Sequence, residues 1–386
     1  MNKNNIFMIC CGVVFAFAGC KKDSVDYKYP QPFAGQQVTL PGVAGTELGL
    51  NAANSVFVDF SKGVVTPIRR ANWDLGLYPG ADFKAILNHT MGAMAYDTGK
   101  QNFADVQQKD SIDFVDKMKL GVAGSGVYVD PVTGTAADYL AKLVTIKVGA
   151  SEGASNIYIV NSGYAGLPEM TTLVPATPTT PVIPSVPVKR PWYKVKIYQG
   201  TNGYRIKHAR MNIDNPSFTE FVVNKDLSYN FNFFSFTSPS AVGEPAQSLW
   251  DIQWTWTTST IADASATGTT AVATHDFVLI NFLGGVTAAE VKIADQTANE
   301  YENFTKEKLA GITYLNTREA IGVKWRSLTT DGRPVVNRDR FYLVKDADGN
   351  VYKLRFVSSS NADGGVAGAP VIEYRLVDAA ITPGTT

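Results

Sequence analysis

The chain reads as an all-β protein, mainly antiparallel, with a few short helices. Short segments of alternating apolar and polar residues far outnumber helical patterns. Turn signals such as Asp348-Gly349 sit between such segments. The strand motifs also occur twice, in the same order. With 386 residues, 45% of them apolar and 18% charged, the chain can bury a core, which excludes global disorder. Lys and Arg number 35 and so do Asp and Glu, with no basic block, so nucleic acid is not an expected partner.

At the N-terminus, Lys3 precedes an apolar run from Ile6 to Ala18, too short to span a bilayer and suited to a signal-peptide core. The run ends in Phe17-Ala18-Gly19-Cys20, which resembles the bacterial lipobox. Residues 1–19 are therefore expected to be a lipoprotein signal peptide and Cys20 the lipidation site, held to a membrane by acyl chains; the following Lys21-Lys22-Asp23 resembles the surface-export signals of some Gram-negative lipoproteins, so the expected location is the outer membrane at the cell surface. The only other cysteines, Cys10 and Cys11, lie inside the signal, so disulfides, cysteine zinc sites and thiol nucleophiles are excluded from the body. Residues 20–44, rich in Pro, Gly and Gln, read as a flexible tether.

The body divides into a first domain at 45–213 and a second at 214–386. Phe57-Val58-Asp59-Phe60-Ser61 matches Phe231-Asn232-Phe233-Phe234-Ser235, and Trp73-Asp74-Leu75-Gly76-Leu77 matches Trp250-Asp251-Ile252-Gln253-Trp254. Asp82 to Asn88 matches Asp276 to Asn281, and both run into a Gly-containing loop. Each half ends in a hairpin and a last strand: Ile157–Val160, Trp192–Ile197 and Tyr204–Met211 in the first; Phe341–Val344, Val351–Phe356 and Val371–Val377 in the second. A two-residue Asp348-Gly349 turn would set Leu343 opposite Leu354 and Phe341 opposite Phe356. Between the arms of the first hairpin, at about 168–191, Pro175, Pro178, Pro181, Pro184 and Pro187 recur with the period of a polyproline II helix, so this segment is expected to be a stiff insertion. Short helices are expected at Ala136–Val144 and near Ala288–Leu309.

These segments together resemble the HmuY-like lipoprotein family, as two tandem copies. The resemblance rests on the lipobox, the strand ending in Ser, the Trp-Asp strand and the terminal hairpin, with Val344 to Phe356 the nearest part. It implies a mostly-β surface protein that captures haem and passes it to a membrane receptor, with iron held by His or Met side chains. No His pair is recognisable in either half, so the family's iron ligands cannot be matched residue by residue.

Among this chain's own residues, His89-Thr90-Met91-Gly92-Ala93-Met94 offers one imidazole and two thioethers beside a flexible glycine, which makes His89, Met91 and Met94 the haem-ligand candidates. His208 shares a strand face with Tyr204 and Ile206 and reads as half-buried, whereas His275 reads as an exposed residue at a strand start. Trp256 lacks a counterpart in the first half and is a candidate platform for a sugar ring or porphyrin. Asp346 to Asn350 echoes a calcium loop but lacks its downstream Glu, and the glycines of 121–126 lack the strand-to-helix setting of a phosphate loop. No nucleophile stands beside a base, so catalysis and a catalytic metal are not expected. The expected function is non-enzymatic ligand binding at the cell surface, with haem or porphyrin for an outer-membrane receptor first, and a structural subunit or a glycan-binding lipoprotein as alternatives.

Overall fold

The computed structural model describes residues 31–42, 52–164, 189–212, 217–238, 240–263, 268–294 and 299–380. The signal peptide, Cys20, most of the tether and insertion, and the 213/214 boundary lie outside the described residues.

The described residues are mostly β, and every pair of named strands is antiparallel. Two five-stranded sheets carry the C-terminal strands of the two halves. One runs in the order Thr219–Asn224, Gly203–Arg210, Trp192–Gly200, Tyr158–Asn161, Met94–Asp97. The other runs Gly35–Thr39, Val371–Asp378, Val351–Ser358, Arg340–Lys345, Thr287–Lys292. The orders match strand for strand. In each, one edge strand comes from outside that half: Thr219–Asn224 from the start of the second half, and Gly35–Thr39 from the segment that precedes the first.

Two smaller sheets make the same exchange. Asn54–Asp59 pairs with Ile252–Ala262, and Asn232–Phe234 pairs with Leu75–Leu77. Each smaller sheet covers one five-stranded sheet. Val56, Phe60, Ile252 and Trp254 pack on Tyr342, Tyr352, Leu354 and Tyr374. Leu75, Leu87, Phe234 and Phe236 pack on Tyr158, Tyr193, Val195 and Ile206. The core is thus two β sandwiches, each built from both halves, and the pairing crosses the expected 213/214 boundary.

Aromatic and amide contacts recur with the exchange. Trp73 meets Phe233 edge-on, with centroids 4.9 Å apart, and Trp250 meets Phe57 the same way at 5.1 Å. Asn88 donates to the Trp73 carbonyl at 2.6 Å and Asn281 to the Trp250 carbonyl at 2.8 Å. These contacts equate Phe57 with Phe233, not with Phe231 as the sequence match had it. Repeated aromatics blurred that two-residue difference, and side-chain direction decides it.

Three other expectations change, and one holds. Gly35–Thr39, expected in a flexible tether, is an edge strand paired over its whole length with Val371–Arg375. Near Ala288, strand Thr287–Lys292 replaces the expected helix, with Ala288 in the larger core and Ala289 in the smaller one on the opposite face. Ala136–Lys142 is a helix as expected, capped by the Thr135 hydroxyl, which accepts from the Asp138 amide. The terminal hairpin is one residue out of the expected register, with Tyr342 opposite Leu354 and Val344 opposite Tyr352. Its loop has three residues, with Gly349 at φ +94°, a conformation in which glycine avoids the Cβ penalty.

Candidate functional site

The sequence candidates His89, Met91 and Met94 lie at a tight turn after strand Ala85–Leu87. Asn88 caps it, accepting from the Thr90 amide at 3.0 Å and hydroxyl at 2.7 Å, and Gly92 at φ +70° lets the chain leave. This turn aims His89 inward. Its Nδ1 lies 2.7 Å from the Thr257 hydroxyl and its Nε2 lies 3.1 Å from Arg318. Because the guanidinium can only donate, Nε2 accepts, and the Nδ1 proton goes to Thr257. Burial, then the Arg318 charge, pushes the imidazole pKa well below its ordinary value, so it stays neutral.

Arg318 also donates to the Tyr139 hydroxyl at 3.2 Å. Nearby, Glu244 accepts from the amides of Asn230 and Phe231, and burial raises its pKa to about 7. The cavity beside His89 and Arg318 measures about 20 Å³, room for roughly one water. Met91 and Met94 are both buried; Met94 packs with Met118, Val129 and Ala271. His89, Met91 and Met94 therefore do not present free ligating atoms to a space that admits a macrocycle, and His89 belongs to a buried polar network joining the halves.

Other sequence candidates are also internal. Trp256 is buried, with the Arg70 guanidinium 5.2 Å from its ring centre, so it offers no open platform. His275 is buried and bonded to Asp276, against the expectation of an exposed residue. His208 is fully inside, within 6 Å of the rings of Tyr193, Phe221, Phe234 and Phe236. Neither of its nitrogens has a partner, and burial lowers its pKa to about 4. Among the described residues no group of three or more His, Cys, Asp or Glu side chains could hold a metal ion.

An open cleft of about 540 Å³ lies elsewhere, beside strand Met94–Asp97. That volume falls within the range of small-molecule sites. Its floor is Tyr96 and Ile159, and its wall is the chain excursion that follows the strand. The Phe114 ring lies over Tyr96 with centroids 3.8 Å apart and planes 30° apart, and Tyr128 meets both rings edge-on at 6.4 Å. Ile112, 64% exposed, projects at the rim. Asp110 ties the wall down: one oxygen accepts from Lys100 at 2.9 Å and the other from the Gln107 amide at 2.7 Å, setting the single helical turn Lys109–Ile112. Lys100 also donates to the Asp105 carbonyl at 2.8 Å. At the far end, the Asn161 amide donates to the Met118 carbonyl at 2.9 Å.

Sequence reasoning missed this cleft. Its signal was present as four apolar residues, Ile112, Phe114, Val115 and Met118, within a charged stretch. The stretch reads as a solvated surface until Tyr96 and Ile159 are known to lie beneath it.

No helix among the described residues is long and apolar enough to cross a membrane. No curated protein and no solved structure gives a significant match to the chain. The family model described as HmuY protein matches residues 51–374, from the exchanged N-terminal strands to the last strand of the second sandwich, and the chain belongs to the HmuY family.

Proposed function

We propose that this protein is a surface-anchored, non-enzymatic lipoprotein that captures haem or a related porphyrin and delivers it to an outer-membrane receptor, with acylated Cys20 as its anchor. The observation that carries the reading is the open, aromatic-floored cleft of about 540 Å³ in a chain of this family. A flat macrocycle needs an apolar face to lie on and a polar rim for its carboxylates. Tyr96, Phe114 and Ile112 supply the first; Lys100 and Lys109 stand at the second. Burial removes Trp256 as a glycan platform.

Titrating residues 21–386 with haemin tests this. A shifted Soret band that saturates at micromolar haemin is the expected result; an unchanged haemin spectrum would overturn the reading.

A further inference from the structure

Resting on the porphyrin reading above, we infer that the cleft recognises the macrocycle and one of its carboxylates, and not the metal at its centre. The side chains around it include no imidazole, thiol or thioether. These are the common protein ligands of haem iron, with phenolate the rarer one. The three histidines lie elsewhere: His89 has both nitrogens engaged, His275 is bonded to Asp276, and His208 sits on strand Gly203–Arg210 inside an aromatic cluster.

The lining oxygens that could approach a metal are carboxylates, which are not among the usual ligands of haem iron, and the Tyr96 phenol. Both Asp110 oxygens are taken, by Lys100 and by the Gln107 amide. Tyr96 presents its ring to Phe114, so its contribution is a stacking surface. Metal binding by the Tyr96 phenol is the one competing role, and removal of its hydroxyl separates the two.

Recognition is then divided among a few groups. Tyr96 and Phe114 give an aromatic surface, and Ile112 closes over the ligand edge. Lys109 is exposed and has no ion-pair partner among the described residues, so it is the cation free to meet a carboxylate, whereas Lys100 is held by Asp110. Among the lining side chains no other cation is free, Asp113 at the same rim repels a second carboxylate, and Lys117 is drawn over the outer part of Phe114 at 5.3 Å, outside the lining, so a dicarboxylate would be gripped at one end with the other toward solvent.

The experiment compares haemin with metal-free protoporphyrin IX on residues 21–386, following absorbance and the quenching of intrinsic tryptophan fluorescence. The two dissociation constants should agree within about threefold. Ile112→Asp should weaken both by about tenfold or more, and Lys109→Glu both by severalfold, while Tyr96→Phe should leave both unchanged. Ile112 and Lys109 are exposed, and an unchanged thermal transition will show that these variants fold. Haemin binding about tenfold or more tighter than protoporphyrin, or haemin binding lost in Tyr96→Phe, would overturn the inference while leaving the capture function standing. Binding indifferent to Ile112→Asp would place the ligand elsewhere and overturn it as well. Failure of both porphyrins to bind the unmodified protein would overturn the capture function together with it.

Discussion

Asp74 and Asp251 hold matching places in the two sandwiches, yet only Asp74 has an ion-pair partner among the described residues. The Asp74 amide donates to the Phe234 carbonyl at 2.8 Å, and its carboxylate accepts from the Phe236 amide at 2.8 Å. The Asp251 amide donates to the Val58 carbonyl at 2.7 Å, and its carboxylate accepts from the Phe60 amide at 2.7 Å. Arg190 lies 2.8 Å from Asp74. Against Asp251 stand Asp59 and Asp346, and burial with those like charges raises its pKa to about 8. Burial raises Asp74 too, opposed by Arg190. The comparison teaches that the fold requires an acceptor here, to hold the exchanged strand, and does not require a charge.

The largest expected effect separates these two residues. Asp74→Asn would leave Arg190 buried without its counter-ion and should cost about 3 kcal/mol or more. Asp251→Asn should cost little, since the carboxyl is already protonated at neutral pH. The sign of the pH dependence follows: a carboxyl whose folded pKa lies above its unfolded value adds stability that is complete below the unfolded pKa, about 4, and lost as pH rises through about 8. Denaturant unfolding across that range should show the decline in the parent protein and a flatter profile in Asp251→Asn. Equal losses in both variants at neutral pH would break the comparison.

A smaller effect is expected from a pair of buried lysines. Lys194 donates to the carbonyls of Phe103 and Val106, both at 2.8 Å; Lys353 donates to those of Tyr301, Glu302 and Phe304 at 2.7, 3.1 and 3.1 Å. Each amine tethers the excursion that crosses its sheet. Replacement by Met keeps the stem but strands the carbonyls, and should cost about 1–3 kcal/mol in each case. Urea midpoints of the two variants should fall by similar amounts, and a loss at one site alone would count against equivalent roles.

The smallest effect concerns His208 and Tyr374, which face Val195 and Leu354 in the matching strands. The Tyr374 hydroxyl accepts from Gln36 at 2.9 Å, whereas His208 has no partner. His208→Phe should therefore stabilise the fold by about 1 kcal/mol at neutral pH. With a folded pKa of about 4, His208 contributes stability that is present above its unfolded pKa of about 6.5 and lost as pH falls through about 4. The Phe variant should lose less stability in that acid range than the parent, as followed by thermal unfolding.

Much of the strand inventory was legible from the residues, because alternation and the paired Trp-Asp motifs are local signals. Partner choice was not. Phe57 and Phe60 show that a strand is buried, but nothing local to them says that its neighbour begins at Ile252, nearly two hundred positions away. The Asp-Gly turn likewise marked the hairpin but not the extra loop residue that moves its register. His89 misled for a related reason: an imidazole beside two thioethers suggests a ligand set, while Thr257 and Arg318, which occupy its nitrogens, come from distant parts of the chain. The buried lysines could have been noticed, since Tyr193-Lys194 and Tyr352-Lys353 align in matching strands.

The cleft belongs to one half alone. At the matching place after Thr287–Lys292, Tyr301 and Phe304 pack on Phe341 and fill the space over the second sheet. The most direct test of a capture protein with a single cleft is therefore the stoichiometry of haemin bound to residues 21–386, by Soret titration at protein concentrations well above the dissociation constant. One haemin per chain is predicted; two per chain, or none, would contradict the account.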